Sequence, residues 1–395
     1  MTYIGPGGLE FAERLAAMGG TFAVPTTTNA CGVDRRDWRA LGIPKAHGLP
    51  SERLADAYVR LGAAPSFTCA PYLRDDAPVR GEHLGYSESN AVVYVNSVIG
   101  ARTQKYADYM DVAVALTGRA PLAGAHLDAN RAATVGIDVA GAVAVGTSGG
   151  GGAPDDFYAL LGYAVGLRAG AAVPVVYGLE GAAQIGADDL KAFSAAFGTT
   201  AAAPLFHIAG QTACEGLGQD RVPAATLDLA ALRRSYDDLA PEEARGAPVD
   251  LVALGSPHFS VTELAALAAL VAGSARHPST RVVVTTSRAV LDAGAADAAL
   301  LRAFGVDFVA DTCWCMLADG VVDAPADPAA TIVTNSAKYA HYAPGLVGRR
   351  PTLASLGACA AAATTGRAPA RPPAWLATGA RLAARRALST LRRVR

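Results

Sequence analysis

The chain is poor in charged residues and has no long uninterrupted apolar run. Charged residues make up 17% of the 395 residues, below the roughly 25% that is usual in soluble domains. The apolar content of 51% supplies enough surface to bury, so disorder is excluded for most of the chain. The apolar stretch from Phe157 to Val176 is interrupted by Arg168 and Pro174, whereas a membrane span needs about 18 uninterrupted residues. We therefore expect no integral membrane segment.

We also expect no secretory leader, no disulfide framework and no nucleotide-binding loop from the residues given. The N-terminal residues MTYIGPGGLEFAERL contain neither a basic region nor an apolar core of a signal peptide. The six cysteines are scattered and form no CxxC pair, which argues against a disulfide scaffold or a zinc finger. The glycine run 149–152 is not followed by Lys-Ser or Lys-Thr, so it is not a phosphate loop. These absences favour a reducing, cytoplasmic setting.

Basic charge is concentrated at the C-terminus. The net charge is −1, yet residues 367–395 contain eight arginines and no acidic residue. Apolar residues at helical spacing between Trp375 and Arg395 are compatible with an amphipathic helix for an acidic partner or a membrane surface. A solvated terminal helix or a frayed tail is the alternative that we favour. We expect no nucleic-acid partner.

Composition breaks divide the chain into four expected regions. The four glycines at 149–152 are the clearest break. The expected regions are an N-terminal α/β region carrying the Cys69 and Glu88 motifs (1–148), a middle α/β region (149–245), a C-terminal parallel α/β region with Cys313, Lys338 and Cys359 (246–366), and a basic tail that is helical or frayed (367–395).

Alternating strands and helices are clearest between residues 249 and 336. Apolar runs predict strands at Val249–Leu254, Arg281–Thr285, Val306–Ala310 and Thr331–Val333, and helices between them at about 262–272 and 289–304. Such alternation is typical of a parallel sheet covered on both faces. Earlier in the chain the pattern predicts helices at 9–18, 51–61 and 107–116, short strands at 21–24 and 66–70, and a β-branched run at 90–99.

Polar residues follow each of these four strands. In chain order they are Ser256 and His258, Thr286 and Ser287, Thr312 and Cys313, and Asn335 and Ser336. Ligands of open α/β sheets bind beyond the carboxyl ends of the strands. Four such endings in succession therefore favour a site at this edge over ordinary loop chemistry.

Glu88 is the clearest candidate for acid–base chemistry. It is flanked by Ser87, Ser89 and Asn90 in an apolar context, and a buried carboxylate needs hydrogen-bond partners of this kind. Such a group can serve as a general acid or base, and a helix-capping cluster is an equally good explanation of the spacing.

Two further segments carry cations and histidines. Lys338 and His341 follow a strand, where Lys338 could hold a carboxylate or phosphate or carry a proton. His126, Asp128, Asn130 and Arg131 are grouped at 126–131, and a structural histidine is as good an interpretation of His126 as a functional one.

Several long segments resemble the aconitase X family, specifically its large catalytic subunit or domain. They are TCAPYL, GEHLGYSESNAVVYVNSVIGARTQKY, TGRAPLAGAHLDANRAAT, GSPHFS, ADTCW and TNSAKYAHYAPG. The resemblance runs from about Gly5 to Gly366. It implies an α/β class fold, an aconitase-like multi-domain α/β/α arrangement with mainly parallel sheets. It also implies an iron–sulfur hydro-lyase that dehydrates a small hydroxy acid such as cis-3-hydroxy-L-proline or mevalonate 5-phosphate.

The resemblance implies metal binding by three cysteines. Cys69 in TCAPYL and Cys313 in ADTCW fall on family positions, and Cys359 matches a late cysteine of other members. Many members have a cysteine where this chain has Ser256, and Cys315 is a further local candidate. Serine is a poor replacement for thiolate on iron. The implied cofactor is therefore an iron–sulfur cluster, [4Fe-4S] or [2Fe-2S], or a mononuclear iron.

The resemblance also implies substrate-site positions for Glu88, Lys338 and Ser89 and for the loop Thr28, Asn29, Ala30, Cys31 and Gly32. Of these we assign Glu88 and Lys338 to catalysis and the others to substrate binding. Arg102, as a cation for a carboxylate or phosphate, and Ser336, at a strand end, are added from the residues themselves as expected substrate-binding residues.

The resemblance further implies a partner. The family's small swivelling domain carries a catalytic serine, and we expect it to come from a separate small subunit that forms a heterodimer with this chain. Ser256 motivates the alternative of a degenerate member that serves only as a binding or assembly subunit.

Overall fold

The computed structural model describes residues 2–146, 154–181, 184–212, 222–316 and 330–376. The predicted break at 149–152, Cys214 and the basic tail beyond residue 376 lie outside these described residues. Within them, no helix is long and apolar enough to cross a membrane.

Helices form most of the regular structure. The α-helices of the described residues are α1 (Pro6–Ala17), α2 (Lys45–Arg60), α3 (Ser89–Tyr94), α4 (Met110–Thr117), α5 (Ala140–Gly146), α6 (Asp155–Ala169), α7 (Ala187–Thr200), α8 (Leu229–Leu239), α9 (Val261–Val271), α10 (Arg288–Ala293), α11 (Ala295–Phe304), α12 (Ala337–Val347) and α13 (Leu356–Thr365).

The strands form two sheets, and all neighbouring strands within each sheet are parallel. The strands are β1 (Val135–Asp138), β2 (Pro174–Tyr177), β3 (His207–Ile208), β4 (Ala224–Thr226), β5 (Leu251–Phe259), β6 (Arg281–Thr286), β7 (Val306–Ala310), β8 (Ile332–Thr334) and β9 (Thr352–Leu353). The order is β3-β2-β1-β4 in the four-stranded sheet and β7-β6-β5-β8-β9 in the five-stranded sheet. The expected α/β fold with parallel sheets is confirmed.

The closely packed pair α6 and α7 shares one buried apolar core with the four-stranded sheet. A Cβ atom at Gly162 would lie 2.4 Å from the carbonyl oxygen of Phe193, and one at Gly166 would lie 2.0 Å from Thr200 Oγ1. Glycine at these two positions lets the helix backbones approach. The boundary that we expect between residues 148 and 149 lies outside the described residues; β1 precedes it in the chain and pairs with β2 and β4, which follow it.

The five-stranded sheet is buried on both faces. β5 is buried along its whole length, as expected for a central strand of a covered parallel sheet. One face packs against α9, α11 and α13, and the other face packs against Trp38, Trp314 and Tyr339. The predicted strands of this region are confirmed, and the predicted helix 289–304 is two helices, α10 and α11.

The N-terminal residues 2–130 are helices and loops, without a strand in this described range. The predicted strands at 21–24 and 66–70 are loops. The β-branched run at 90–99 is helical, since its buried packing on α7 overrides the β propensity of its residues.

A loop of this region is fixed to the five-stranded sheet. The Cys31 backbone N–H donates to the Asp311 carbonyl at 2.7 Å, directly after β7. Arg288 forms ion pairs with both Asp34 and Asp311. These contacts place residues 28–34 beside the carboxyl end of β7.

Candidate active site

The carboxyl edge of the five-stranded sheet brings three of the four predicted strand ends together. Ser256 Oγ of β5 lies 3.6 Å from the Sγ atom of Cys313, which follows β7. Ser336, which follows β8, donates a hydrogen bond to the Ser256 carbonyl. At the fourth end, Thr286 Oγ1 of β6 donates to the Phe259 carbonyl at 2.8 Å. Side chains from neighbouring strands therefore meet at this edge.

Three thiols lie together at the edge. Cys69 and Cys313 pack with Ala30 in a small buried group, and Cys315 lies against it. Cys69 is 0% exposed and Cys313 is 1% exposed. Ser256 Oγ also lies 3.5 Å from Cys315 Sγ. The group therefore combines three sulfur atoms with one hydroxyl.

Hydrogen bonds among the thiols separate their pKa values. Cys315 and Cys69 both hydrogen-bond to Cys313, and these bonds hold the pKa of Cys313 well below its usual value. Burial raises the pKa of Cys69, and the hydrogen bond to Cys313 raises the pKa of Cys315. The group favours one thiolate at Cys313, and thiolate is the form of cysteine that binds metals.

Glu88 and Lys338 form a buried ion pair next to the thiols. Lys338 Nζ lies 2.5 Å from Glu88 Oε1. Burial raises the pKa of Glu88, but the charge of Lys338 and the hydrogen bonds from Lys338 and Asn90 together outweigh burial, so the pKa lies below its usual value. Burial lowers the pKa of Lys338, but Glu88 and the three thiols together raise it well above its usual value. Both groups are therefore charged at neutral pH.

Two asparagines orient the Glu88 carboxylate. Asn90 Nδ2 donates to Glu88 Oε1 at 2.7 Å and to the Cys69 carbonyl at 3.1 Å. Tyr72 donates from its hydroxyl to Asn90 Oδ1 at 2.7 Å. Asn29 Nδ2 donates to Glu88 Oε2 at 3.4 Å. The carboxylate is thus held from α3 and from the loop at Asn29, and it is linked through Asn90 to the backbone of Cys69.

A cavity lies between this group and α7. Its lining includes Ser256 and Lys338 on one side and Lys191 and Glu263 on the other. Lys191 forms an ion pair with Glu263, and its Nζ atom lies 3.2 Å from Asp188 Oδ1. Each of the two lysines in this lining is therefore paired with carboxylate.

The expected substrate loop at 28–32 is only partly at the site. Asn29 and Ala30 reach Glu88 and the thiols, as described above. Thr28 Oγ1 instead donates to the Ala64 carbonyl at 3.2 Å. The Cys31 thiol donates to the Val33 carbonyl at 2.9 Å, and burial raises its pKa to about 12.

Gly32, Ser89 and Arg102 have other surroundings. Gly32 lies against the side chains of His47 and Ser51. Ser89 is the first residue of α3, directly after Glu88. The Arg102 guanidinium donates to the His126 carbonyl at 3.1 Å and forms an ion pair with Asp128. The structure does not bring Gly32 or Arg102 into contact with the thiols.

Two histidines from the sequence analysis have structural partners. His126 hydrogen-bonds to His83 Nδ1 at 2.9 Å and to the Tyr106 hydroxyl. His341 Nδ1 lies 3.0 Å from the hydroxyl of Tyr163. These contacts agree with the structural interpretation of His126.

Cys359 lies in a different core from the other thiols. It is buried on α13 among apolar residues of α9 and β5, and its thiol lies 3.9 Å from the Ala354 carbonyl. Burial raises the pKa of Cys359 well above its usual value, and the charges of Asp155 and Asp156 raise it further. Cys359, expected from the sequence as a metal ligand, therefore does not lie with Cys69 and Cys313, whereas Cys315, the other candidate for the third ligand, does.

Lys191 and His258 were not assigned a role from the sequence. A signal for Lys191 exists, since a lysine within the apolar helical segment LKAFSAAF is expected to be buried and paired. His258 is visible only as one polar residue at a strand end, because its partners come from distant segments. Burial lowers the pKa of His258 and favours its neutral form.

The donor chemistry of the thiol group fits iron. Among the described residues, no group of three or more His, Cys, Asp or Glu side chains has the spacing of a formed metal site. Three neighbouring thiols, one of them favoured as thiolate, are nevertheless the donors that iron–sulfur clusters use. Cys69, Cys313 and Cys315 are therefore the residues that would hold such a group.

Family models match most of the chain. The aconitase X first domain matches residues 1–129, the second domain matches residues 133–237 and the third domain matches residues 249–365. The solved holo-form of aconitase X from Thermococcus kodakaraensis superposes with a TM-score of 0.77 at 27% identity, covering 92% of this chain and 87% of that chain.

Named relatives give the same assignment. Cis-3-hydroxy-L-proline dehydratase of Pseudomonas aeruginosa is 49% identical over 95% of this chain, and that of Hypocrea jecorina is 45% identical. This chain spans 63% of the length of each of these two proteins. The phosphomevalonate dehydratase large subunit of Methanothermobacter thermautotrophicus is 33% identical, over 87% of this chain and 82% of that protein. The chain belongs to the aconitase X family.

Proposed function

We propose that the chain is the large subunit of an iron-dependent hydro-lyase that dehydrates cis-3-hydroxy-L-proline or a close analogue in the cytoplasm. The observation that carries the proposal is the meeting of three thiols with the Glu88–Lys338 pair at one sheet edge. The relatives named as dehydratases support it. Free buried thiols suit a reducing compartment.

The reaction removes a proton from one carbon and a hydroxyl from its neighbour. A double bond forms between the two carbons, and the proton and hydroxyl leave as water. When bound at Cys69, Cys313 and Cys315, an iron centre supplies Lewis-acid chemistry toward the hydroxyl or the carboxylate.

This chain contributes binding, orientation and a proton carrier. Lys338 borders the cavity and can bind one substrate carboxylate through its ammonium hydrogens while it stays paired with Glu88. Glu88 is fixed by Asn90 and Asn29, so that its carboxylate can accept or return a proton at a constant position. Ser256 and Ser336 border the same space and offer hydroxyls to the substrate. The low exposure of the group excludes water from most of its surface.

The charge of the cavity favours an amino acid over a phosphate ester. Lys191 is neutralised by Glu263 and Asp188, and Lys338 is neutralised by Glu88. A phosphate dianion needs several converging cations or backbone amides, and these two lysines provide little net positive charge. A zwitterionic hydroxy amino acid brings an ammonium group that nearby carboxylates tolerate.

A small subunit completes the proposed enzyme. Relatives of this chain are named as large subunits, which supports a partner of smaller size. The resemblance to aconitase X assigns a catalytic serine to that partner, so this chain mainly binds and orients the substrate.

The test is anaerobic co-expression of the chain with the small-subunit protein. We expect a stable heterodimer with bound iron that eliminates water from cis-3-hydroxy-L-proline, with kcat/KM at least about tenfold above that for mevalonate 5-phosphate. A colourless, iron-free and inactive complex would instead support the alternative of a non-catalytic binding or assembly subunit.

A further inference from the structure

His258 lies between the two loops that carry Cys69 and Cys313. It belongs to β5 and is 1% exposed. Its ring Nδ1 lies 3.2 Å from Thr68 Oγ1, and its Nε2 lies 2.7 Å from the Thr312 carbonyl oxygen. Thr68 directly precedes Cys69, and Thr312 directly precedes Cys313. One imidazole ring therefore connects the two loops.

The partners define the ring's hydrogen-bond pattern. A carbonyl oxygen can only accept, so Nε2 carries the hydrogen and donates to Thr312. Nδ1 then accepts from the Thr68 hydroxyl. Thr68 Oγ1 in turn accepts from the Ala70 backbone N–H at 3.1 Å, which closes the turn around Cys69. Every polar atom in this chain of bonds has a partner of the right kind.

The backbone of His258 adds two more links. Its N–H donates to Cys69 Sγ at 3.3 Å. Its carbonyl accepts from Lys191 Nζ at 3.2 Å, and Lys191 is held on α7 by Glu263 and Asp188. His258 is thus held by Lys191 of α7 through its carbonyl and contacts the Cys69 thiol through its N–H.

We propose that His258 is a positioning residue that holds the Cys69 and Cys313 loops together, so that their thiols are already close before a metal binds. This inference rests on the thiol site of the proposed function. Side chains that orient metal ligands typically change metal affinity by 10- to 100-fold when they are replaced. His258 donates no ring nitrogen to the thiol group, because both nitrogens are engaged by Thr68 and Thr312.

The test uses metal-free protein prepared anaerobically in complex with its small subunit. Wild-type protein is titrated with Co²⁺, whose thiolate charge-transfer absorption reports the number of sulfur ligands. Phenylarsine oxide, which bridges neighbouring thiols, gives a second measure that needs no metal. We expect His258→Leu to weaken Co²⁺ binding by about 10- to 100-fold and to slow formation of the arsenical adduct.

Two conservative variants keep the test decisive if His258→Leu does not fold. Gln can place its amide nitrogen near the position of Nε2 and keep the bond to Thr312, whereas Asn can place its oxygen near Nδ1 and keep the bond to Thr68. We expect both to bind Co²⁺ with intermediate affinity. His207→Gln is the matched control, since His207 is also buried and hydrogen-bonds to the Arg131 carbonyl at 2.7 Å. It should lower the melting temperature and leave Co²⁺ affinity unchanged.

The outcomes separate the inference from the proposed function. Wild-type Co²⁺ affinity and arsenical reactivity in the folded His258 variants would overturn the positioning role and leave the thiol site standing. A wild-type protein that shows neither the thiolate absorption nor the arsenical adduct would overturn both.

Discussion

The two parallel sheets end in very different ways. At the four-stranded sheet, Asp138 accepts a hydrogen bond from the backbone N–H of Ala140 at 2.9 Å, and Glu180 accepts from Gly178 at 2.7 Å. At the five-stranded sheet, Ser256, Ser336 and His258 bond to residues of other strand ends. Polar residues at strand ends therefore come together only where they bond to residues of neighbouring strand ends. Asp138 and Glu180 instead bond to backbone N–H groups two residues away in their own loops.

Cysteine substitutions at the five-stranded sheet should have the largest effect, which is the loss of bound metal, and substitutions elsewhere should not have it. We expect Cys69→Ser or Cys313→Ser to reduce bound iron to background while the protein stays folded, because serine oxygen is a poor ligand for iron. Cys359→Ala and Asp138→Asn should keep the wild-type iron content. Iron analysis and the visible spectrum of anaerobically purified protein measure this, and an unchanged spectrum in Cys69→Ser would contradict the assignment.

A buried carboxyl group next to the four-stranded sheet should make the free energy of unfolding depend on pH. Burial raises the pKa of Asp156 on α6 to about 7, with a further contribution from Asp155. Its surroundings also include Trp375, which donates to Asp156 Oδ1 at 3.1 Å, and Tyr236 and Arg371 in the adjoining cavity. The folded state holds a proton that the unfolded state releases. The free energy of unfolding should therefore fall, by on the order of 4 kcal/mol, as the pH rises from about 4 to about 7.

Asp156→Asn tests this, because asparagine cannot ionise and can still accept from the Trp375 indole. We expect the variant to lose most of the dependence of unfolding free energy on pH in this interval, with denaturant melts at several pH values as the measurement. Asp237→Asn on the surface of α8 is the control. Equal pH dependence in wild type and Asp156→Asn would show that other groups control stability in this range.

Lys191 of α7 and Glu263 of α9 link the regions of the two sheets, and breaking this ion pair should give the next largest effect. Lys191→Met leaves the carboxylates of Glu263 and Asp188 without their buried cation, which should cost about 3 kcal/mol of unfolding free energy. The double variant Lys191→Met/Glu263→Gln should recover part of this loss. The control is the exposed pair Arg233–Asp237 on α8, whose removal should cost less than about 0.5 kcal/mol. Equal losses at both pairs would show that burial does not matter here.

The acid–base role gives the smallest change in free energy. Glu88→Gln keeps the shape and most hydrogen bonds of Glu88 but removes the base, so kcat should fall about 100-fold, or about 2.7 kcal/mol in activation free energy. Iron content should stay at the wild-type level. Glu180→Gln, at the edge of the other sheet, should leave kcat unchanged. A lower melting temperature with full turnover in Glu88→Gln would make Glu88 structural.

The sequence carries the local features of this fold but not its long-range contacts. The strands of the five-stranded sheet are buried runs with polar ends, and such runs are legible one by one. Residues 90–99 look like a strand in the sequence because their β-branched composition is a local feature. They are helical because of their packing on α7, which is a long-range contact. The thiol group shows the limit most clearly. Cys69 and Cys313 follow from the family motifs, whereas the choice between Cys315 and Cys359 depends on which core α13 joins.

The residues around the thiols were harder still to predict. Lys191 and His258 act through partners from α9 and from the loops at 68 and 312. No spacing rule connects these segments. Glu88 and Lys338 could each be proposed alone. Their ion pair at 2.5 Å could not be predicted, because it joins two residues that lie far apart in the chain.

Trp314 stands between two of the thiol-bearing residues and gives the site a built-in optical reporter. Its indole Nε1 donates to the Leu254 carbonyl at 2.7 Å, and its ring lies 5.1 Å from that of Tyr339. The indole is therefore rigid and buried within one residue of Cys313 and of Cys315. Iron–thiolate centres absorb in the wavelength range where tryptophan emits, so filling the site should quench the fluorescence of Trp314. Trp38 and Trp375, the other two of the three tryptophans, are not adjacent to these cysteines in the chain, and a Trp314→Phe variant isolates their emission.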